Sequence, residues 1–197
     1  MATIRAFIAL DLPETAKAEL DRVSRELAGD LPRGAVRWVR PEQMHLTLHF
    51  LGDAPVDRLP AIQTAMDQAA SRQEAFDLIL GRLGCFPNPK RPRVIWVGLV
   101  TKEGSDSRDL LALKAALDAG LAPLGWLPED KPFRAHLTLG RVKDESAARG
   151  LDWSTAVTPL SVPVAALNLI ESDLRPTGPI YTRRYRSALV GEGFGRE

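Results

Sequence analysis

The tetrapeptide His45-Leu46-Thr47-Leu48 recurs unchanged as His136-Leu137-Thr138-Leu139. In each copy a polar residue alternates with a leucine, the period-2 pattern of a strand that turns one face to a core and the other outward. The chain holds 3 histidines. Threonine fills about one position in twenty, so two histidines with Thr at +2 would arise by chance roughly once in a hundred. The duplication points to two related halves, each showing a His-Thr dyad to a groove. The bland alternative is two similar strands with ordinary polar faces.

The remaining pattern mixes strands and helices. Residues 3–12 alternate, with Ile4, Ala6, Ile8 and Leu10 on a core face and Arg5, Phe7, Ala9 and Asp11 on a polar one. After Pro13, the spacing of Leu20, Val23 and Leu27 predicts a helix closed by Gly29. Strands are predicted over 36–39 and 44–51, then a turn at Gly52-Asp53-Ala54-Pro55 and a helix carrying Leu59, Ile62, Met66 and Ala69. Two more strands follow over 76–83 and 94–100, joined by a rigid basic loop that begins at Pro87. Ser105 or Asp106 is the expected cap of a third helix, with Leu110, Leu113, Leu117 and Leu121 on one face and Gly125 at its end. Strands over 136–142, 164–171 and 181–190 complete the reading.

Composition narrows the function classes. With 45% hydrophobic and 26% charged residues the chain is an ordinary globular one, long enough for one compact domain or two small lobes sharing a groove. The 26 basic and 25 acidic residues leave a net charge of +1, so any nucleic-acid contact must be local. Cys85 is the only cysteine, which excludes an internal disulfide or a thiolate cluster and reads as core filler. The N-terminal apolar stretch, interrupted by Arg5, is too short for a signal peptide, and no later run reaches membrane length. A cytoplasmic protein with no membrane contact is the expectation.

Two histidines suit a reaction that removes one proton and donates another near neutral pH, because free imidazole titrates at about 6.5. A threonine hydroxyl two residues along the same strand face can hydrogen-bond an oxygen held between the two halves. Non-bridging phosphate oxygens carry charge throughout an in-line displacement, so a phosphodiester flanked by two His-Thr dyads fits the pattern. The competing arrangement is a metal site of His45, His49 and His136. On a strand, however, His45 and His49 would lie roughly 13 Å apart. His49 shares the face of His45 and Thr47 and could rim the groove, although a polar surface role is expected.

Arg5 and Phe7 lie on the polar face of the first strand, where a guanidinium could meet phosphate and a ring could stack on a base. Arg134 and Arg141 flank the second motif. Arg183, Arg184 and Arg186 interleave with Tyr181 and Tyr185, as in single-strand nucleic-acid sites, although solvated arginines are the commoner outcome.

Several stretches together resemble the RNA 2′,3′-cyclic phosphodiesterases, also called the 2′-5′ RNA ligase family, of the two-histidine phosphoesterases. They are Arg5-Ala-Phe-Ile-Ala-Leu, Trp38 before His45-Leu-Thr-Leu-His-Phe-Leu-Gly, Arg93-Val-Ile-Trp-Val-Gly, Pro132-Phe-Arg-Ala-His-Leu-Thr-Leu-Gly-Arg, Glu171-Ser-Asp-Leu and Gly178-Pro-Ile-Tyr. The resemblance implies an α+β fold of two pseudo-symmetric lobes, each an antiparallel sheet with helices outside, enclosing a central groove. Residues 1–197 would form this single bilobal domain. It further implies His45 as proton donor and His136 as acceptor, with Thr47 and Thr138 holding the phosphate. The chain departs from the family at Ala135, where many relatives have Pro, and at Gly140, where Ala is common. The expected reaction is metal-independent, cofactor-free hydrolysis of an RNA terminal 2′,3′-cyclic phosphate to a 2′-phosphate, with Arg141, Phe7 and Arg5 contacting substrate. Small cyclic nucleotides are alternative substrates, 2′-5′ ligation is the same chemistry run toward bond formation, and a non-catalytic RNA-end binder is the competing class. A monomer is expected.

Overall fold

In the computed structural model, which describes residues 2–176 and 178–191, the chain forms two antiparallel sheets with helices on their outer sides. Strand β1 (Thr3–Leu10), β3 (Leu46–Pro55), β8 (Ala166–Arg175) and β9 (Gly178–Ala188) form the first sheet, in the order β3-β1-β8-β9. The second holds β2 (Val36–Trp38), β6 (His136–Val142), β5 (Val94–Val100), β4 (Phe76–Phe86) and β7 (Ser161–Val164), in that order. Helix α1 (Glu14–Gly29) follows β1 but packs on β6 of the other sheet. Helix α2 (Leu59–Ala70) lies against β8 and β9, and α3 (Arg108–Leu121) packs on α2. A short α4 (Glu145–Ala148) follows β6.

The helices form where apolar residues recur at helical spacing. Leu20, Val23 and Leu27 of α1 and Leu110, Leu113, Leu117 and Leu121 of α3 are all buried. Ser107, rather than Ser105 or Asp106, caps α3 by accepting the Leu110 N–H at 3.2 Å. On α1, Glu19 is buried, accepts the Thr158 N–H at 2.7 Å and pairs with Arg22. One continuous apolar core contains Ile8 and Leu48 of the first sheet and Ile95 and Leu137 of the second.

Three further local readings are corrected. Gly52-Asp53-Ala54-Pro55 is the end of β3, not a turn; Gly52 takes φ 65° within the strand as it pairs with Ala6. The run over 164–171 divides into β7 and β8, which belong to different sheets. The second face of β1 is not polar along its length: Phe7 and Ala9 are buried with Ile170 and Tyr181 in a small apolar cluster. Ile170 of β8 and Tyr181 of β9 cover that face, which alternation within β1 alone does not register.

Candidate active site

Both motif strands carry a β-bulge at the second leucine. In β3, Thr47 pairs with Ala9 and His49 with Ile8, leaving Leu48 unmatched. In β6, Thr138 pairs with Trp96 and Gly140 with Ile95, leaving Leu139 unmatched. An unmatched residue reverses the side to which the next ones point. His45 and Thr47 therefore share one face, whereas His49 is turned over to the core side.

That reversal overturns the expectation for His49. It is 7% exposed, and its Nδ1 lies 2.8 Å from Asp118 Oδ1 on α3, while Lys114 bonds the other carboxylate oxygen. His49 neither rims the groove nor sits on the surface. The metal constellation of His45, His49 and His136 is not assembled, and among the described residues no three His, Cys, Asp or Glu side chains cluster as metal ligands.

His45 is half-buried, stacked on Phe7 with ring centroids 4.6 Å apart and met edge-on by Tyr181 at 5.4 Å. Burial pushes its imidazole down to about 4, opposed by a hydrogen bond to the Gln43 backbone and by the Asp11 carboxylate. The Gln43 side chain donates to Pro179 O at 2.6 Å, so one residue ties the His45 ring to the strand bearing Tyr181. His136 is also half-buried, edge-on to Phe86 at 5.0 Å and to Trp96 at 6.4 Å. Its Nδ1 is 2.8 Å from Arg134 O. A carbonyl only accepts, so Nδ1 carries the proton and the neutral ring leaves Nε2 as its basic nitrogen. Each histidine is thus held by the backbone two residues before it and walled by aromatic rings.

The two motif strands lie close together. Strands β3 and β6 come within 8 Å of each other between Cα atoms. Burial raises the Tyr181 phenol, and the Arg141 and Arg37 guanidiniums of the second sheet draw it back. Tyr181 therefore sees both His45 beside it and the arginines opposite. Arg141 is exposed on β6, directly across from Arg37 on β2. A cavity of about 270 Å³ lined by Leu31, Val36 and Trp38 lies elsewhere and contains neither dyad.

A profile of the LigT-like phosphoesterases matches residues 10–96 and 104–181, one motif in each stretch. The chain belongs to that family. Among relatives of this LigT-like chain, the RNA 2′,3′-cyclic phosphodiesterase of Methanothermobacter thermautotrophicus is 32% identical over 91% of the chain and 95% of the relative. The enzyme of the same name from Thermus thermophilus is 34% identical over 98% and 94%. The crystal structure of E. coli LigT complexed with 3′-AMP superposes with a TM-score of 0.74 at 28% identity, covering 95% of this chain and 99% of that one.

In this LigT-like chain His45, Thr47 and Phe7 share one face of the first sheet, and His136 and Thr138 one face of the second, where Arg141 is exposed. Arg5 is exposed on the same side of β1, opposite Asp53, with Phe7 between it and His45. The basic-aromatic cluster of β9 divides. Tyr181 reaches His45, but Tyr185 turns outward to donate to Asp67 on α2 at 2.8 Å, Arg184 pairs with Glu171 at 2.7 Å and Arg183 lies 3.5 Å from Asp11. The sequence reading passed over Trp96, Phe86, Phe50, Gln43 and Arg37. Trp96 was findable, since it alternates with buried Ile95 and Val97 as His136 does with Leu137.

Proposed function

We propose that the protein hydrolyses a terminal 2′,3′-cyclic phosphate on RNA or a small nucleotide, leaving a 2′-phosphate, with His45 and His136 as its acid–base pair. The carrying observation is the duplicated dyad: two His-Thr pairs, each followed by a register break at the second leucine, in a chain of the LigT-like phosphoesterase family. The relatives' shared name supports the substrate class.

In this reading the cyclic phosphate lies between Thr47 and Thr138, whose hydroxyls hold its non-bridging oxygens. His136 Nε2 takes a proton from water as its oxygen bonds to phosphorus. The P–O3′ bond breaks, and His45 gives the departing 3′ oxygen its proton. Resting His45 is neutral at pH 7, since its imidazole titrates at about 4. The phosphate's negative charge stabilises imidazolium, so His45 takes up its proton as the anion arrives. Phe7 and Arg141 flank the bound end, Arg5 serves only a longer substrate, and the single bilobal chain acts as a monomer.

The test is incubation of the purified protein, with chelator, and an oligonucleotide ending in a 2′,3′-cyclic phosphate. A 2′-phosphate product is expected. Binding without turnover would favour an RNA-end binding module, and joined RNA would favour ligation.

A further inference from the structure

The group that fixes the tautomer of His136 lies outside the sheet. It is Arg134 O, 2.8 Å from Nδ1, in the irregular stretch from Gly125 to Ala135 that joins α3 to β6. Ladder pairing begins one peptide later, where Ala135 O accepts the Leu99 N–H at 3.3 Å. The Arg134 carbonyl is therefore steadied by side chains. Trp126 anchors the start of the stretch by donating to Leu51 O at 2.8 Å, too far back to hold its end.

Phe133 is the neighbour of that carbonyl. It is half-buried against the core and borders a shallow crevice with Leu110 and Leu111 of α3. Lys114, one turn further along α3, sets its ammonium 5.7 Å from the centre of the Phe133 ring. The Lys114 side chain is only 11% exposed, and Asp118, itself bonded by His49, holds the ammonium in place. A lysine so placed would otherwise extend its charge to water. A buried ion pair is often no more stabilising than apolar packing of the same volume, so stability alone does not call for a lysine here. An ammonium fixed over a ring, by contrast, keeps that ring in one place.

We propose that Lys114, fixed by Asp118, is a positioning residue for His136: it pins the Phe133 ring, and through it the Arg134 carbonyl that keeps the proton on Nδ1 and leaves Nε2 as the base. The other dyad is built alike, since Gln43 supplies the backbone contact to His45 and is itself tied to Pro179. This rests on the acid–base reading above and adds to it a residue that acts only through others. With the ring released, the imidazole can carry its proton on Nε2 instead, and those molecules lose their base.

The experiment compares wild type, Lys114→Met and Lys114→Arg by nitrogen NMR of the imidazoles and by kinetics on adenosine 2′,3′-cyclic phosphate per folded molecule. Neutral His136 should carry its proton on Nδ1 in the wild type and be a tautomer mixture in Lys114→Met. The kcat of that variant should fall by roughly tenfold, part of the about 10²- to 10⁴-fold that a general base supplies, with KM little changed. Lys114→Arg should restore both, since a guanidinium can also bond Asp118 and lie over a ring. Phe133→Leu keeps the ion pair and removes the ring; it should show the same mixture and the same loss, and it decides the matter where Lys114→Met does not fold. An unchanged tautomer or an unchanged kcat in the folded variants would make Lys114 a packing residue and overturn the assignment, leaving cyclic-phosphate hydrolysis intact. A tautomer shift in a protein whose wild type hydrolyses no cyclic phosphate would overturn the reading of function alone.

Discussion

His45 and His49 flank the Leu48 bulge and face opposite sides of the first sheet, one stacked on Phe7 in the groove and the other bonded to Asp118 beneath α3. Histidines on one short stretch of chain therefore do unrelated work. His49→Gln should cost about 1–3 kcal/mol of stability, the usual penalty for disrupting a buried hydrogen bond to a charged partner. Turnover per folded molecule should change little. Urea denaturation beside initial rates would check this, and a rate collapse with unaltered stability would contradict it.

Removing either groove histidine should do the reverse. His45→Ala and His136→Ala should each lower turnover by about 10²- to 10⁴-fold, the range for a general acid or base, with circular dichroism unchanged. A variant that kept near-normal turnover would remove that residue from the mechanism.

Proton uptake by His45 can be watched directly. Its imidazole should titrate near 4 in the free protein by NMR. It should rise by about one unit or more once adenosine 2′-phosphate, the product class, is bound. The rate should follow a bell in pH, because one histidine must be neutral and the other charged, and the two limbs belong to the coupled pair. A His45 that stayed near 4 with product bound would exchange the roles of the two histidines.

Acid stability follows from the same burial. A folded-state value of about 4 against about 6.5 unfolded means that the unfolded chain binds the extra proton first. Stability should be full above about pH 6.5 and decline as pH falls toward 4, by on the order of 2–3 kcal/mol. The depressed Glu19, held down chiefly by Arg22 to about 2, adds a second loss below its ordinary 4.5. His45→Gln should abolish the first decline and keep the second. Denaturant midpoints at pH 7.5, 5 and 3.5 would separate the two windows.

Gly84 makes room for the indole beside His136. A Cβ there would lie 2.5 Å from Trp96 Cζ2, so Gly84→Ala must push the ring, and with it the wall of the second dyad. Stability should fall by about 1–3 kcal/mol and turnover by more than the unfolded fraction explains. Rates corrected for folded protein would show it; a purely proportional loss would make Trp96 a packing residue only.

The dyads were legible because their signal is local: alternation within four residues puts His45 with Thr47 and His136 with Thr138. His49 was misread because alternation assumes an unbroken ladder, and a bulge is a property of two strands together. Phe7 and Ala9 read as a polar face because what covers them, Ile170 and Tyr181, comes from β8 and β9 at the other end of the chain. Tyr181 and Tyr185 read as one cluster until the unmatched Arg184 separated them onto opposite faces. The α3 cap slipped to Ser107 because three consecutive residues, Ser105 to Ser107, all suit a cap, and only the turn geometry chooses among them.

The paired bulges reach beyond the dyads they follow. In each strand the register break returns the fifth residue after the histidine to the groove: Phe50 in the first sheet, 61% exposed beside Phe7, and Arg141 in the second. Matching backbones thus deliver an uncharged ring on one wall and a cation on the other. A nucleotide has the same asymmetry, with a flat base and a charged backbone, so under the proposed function two near-symmetric halves would still offer it a single heading.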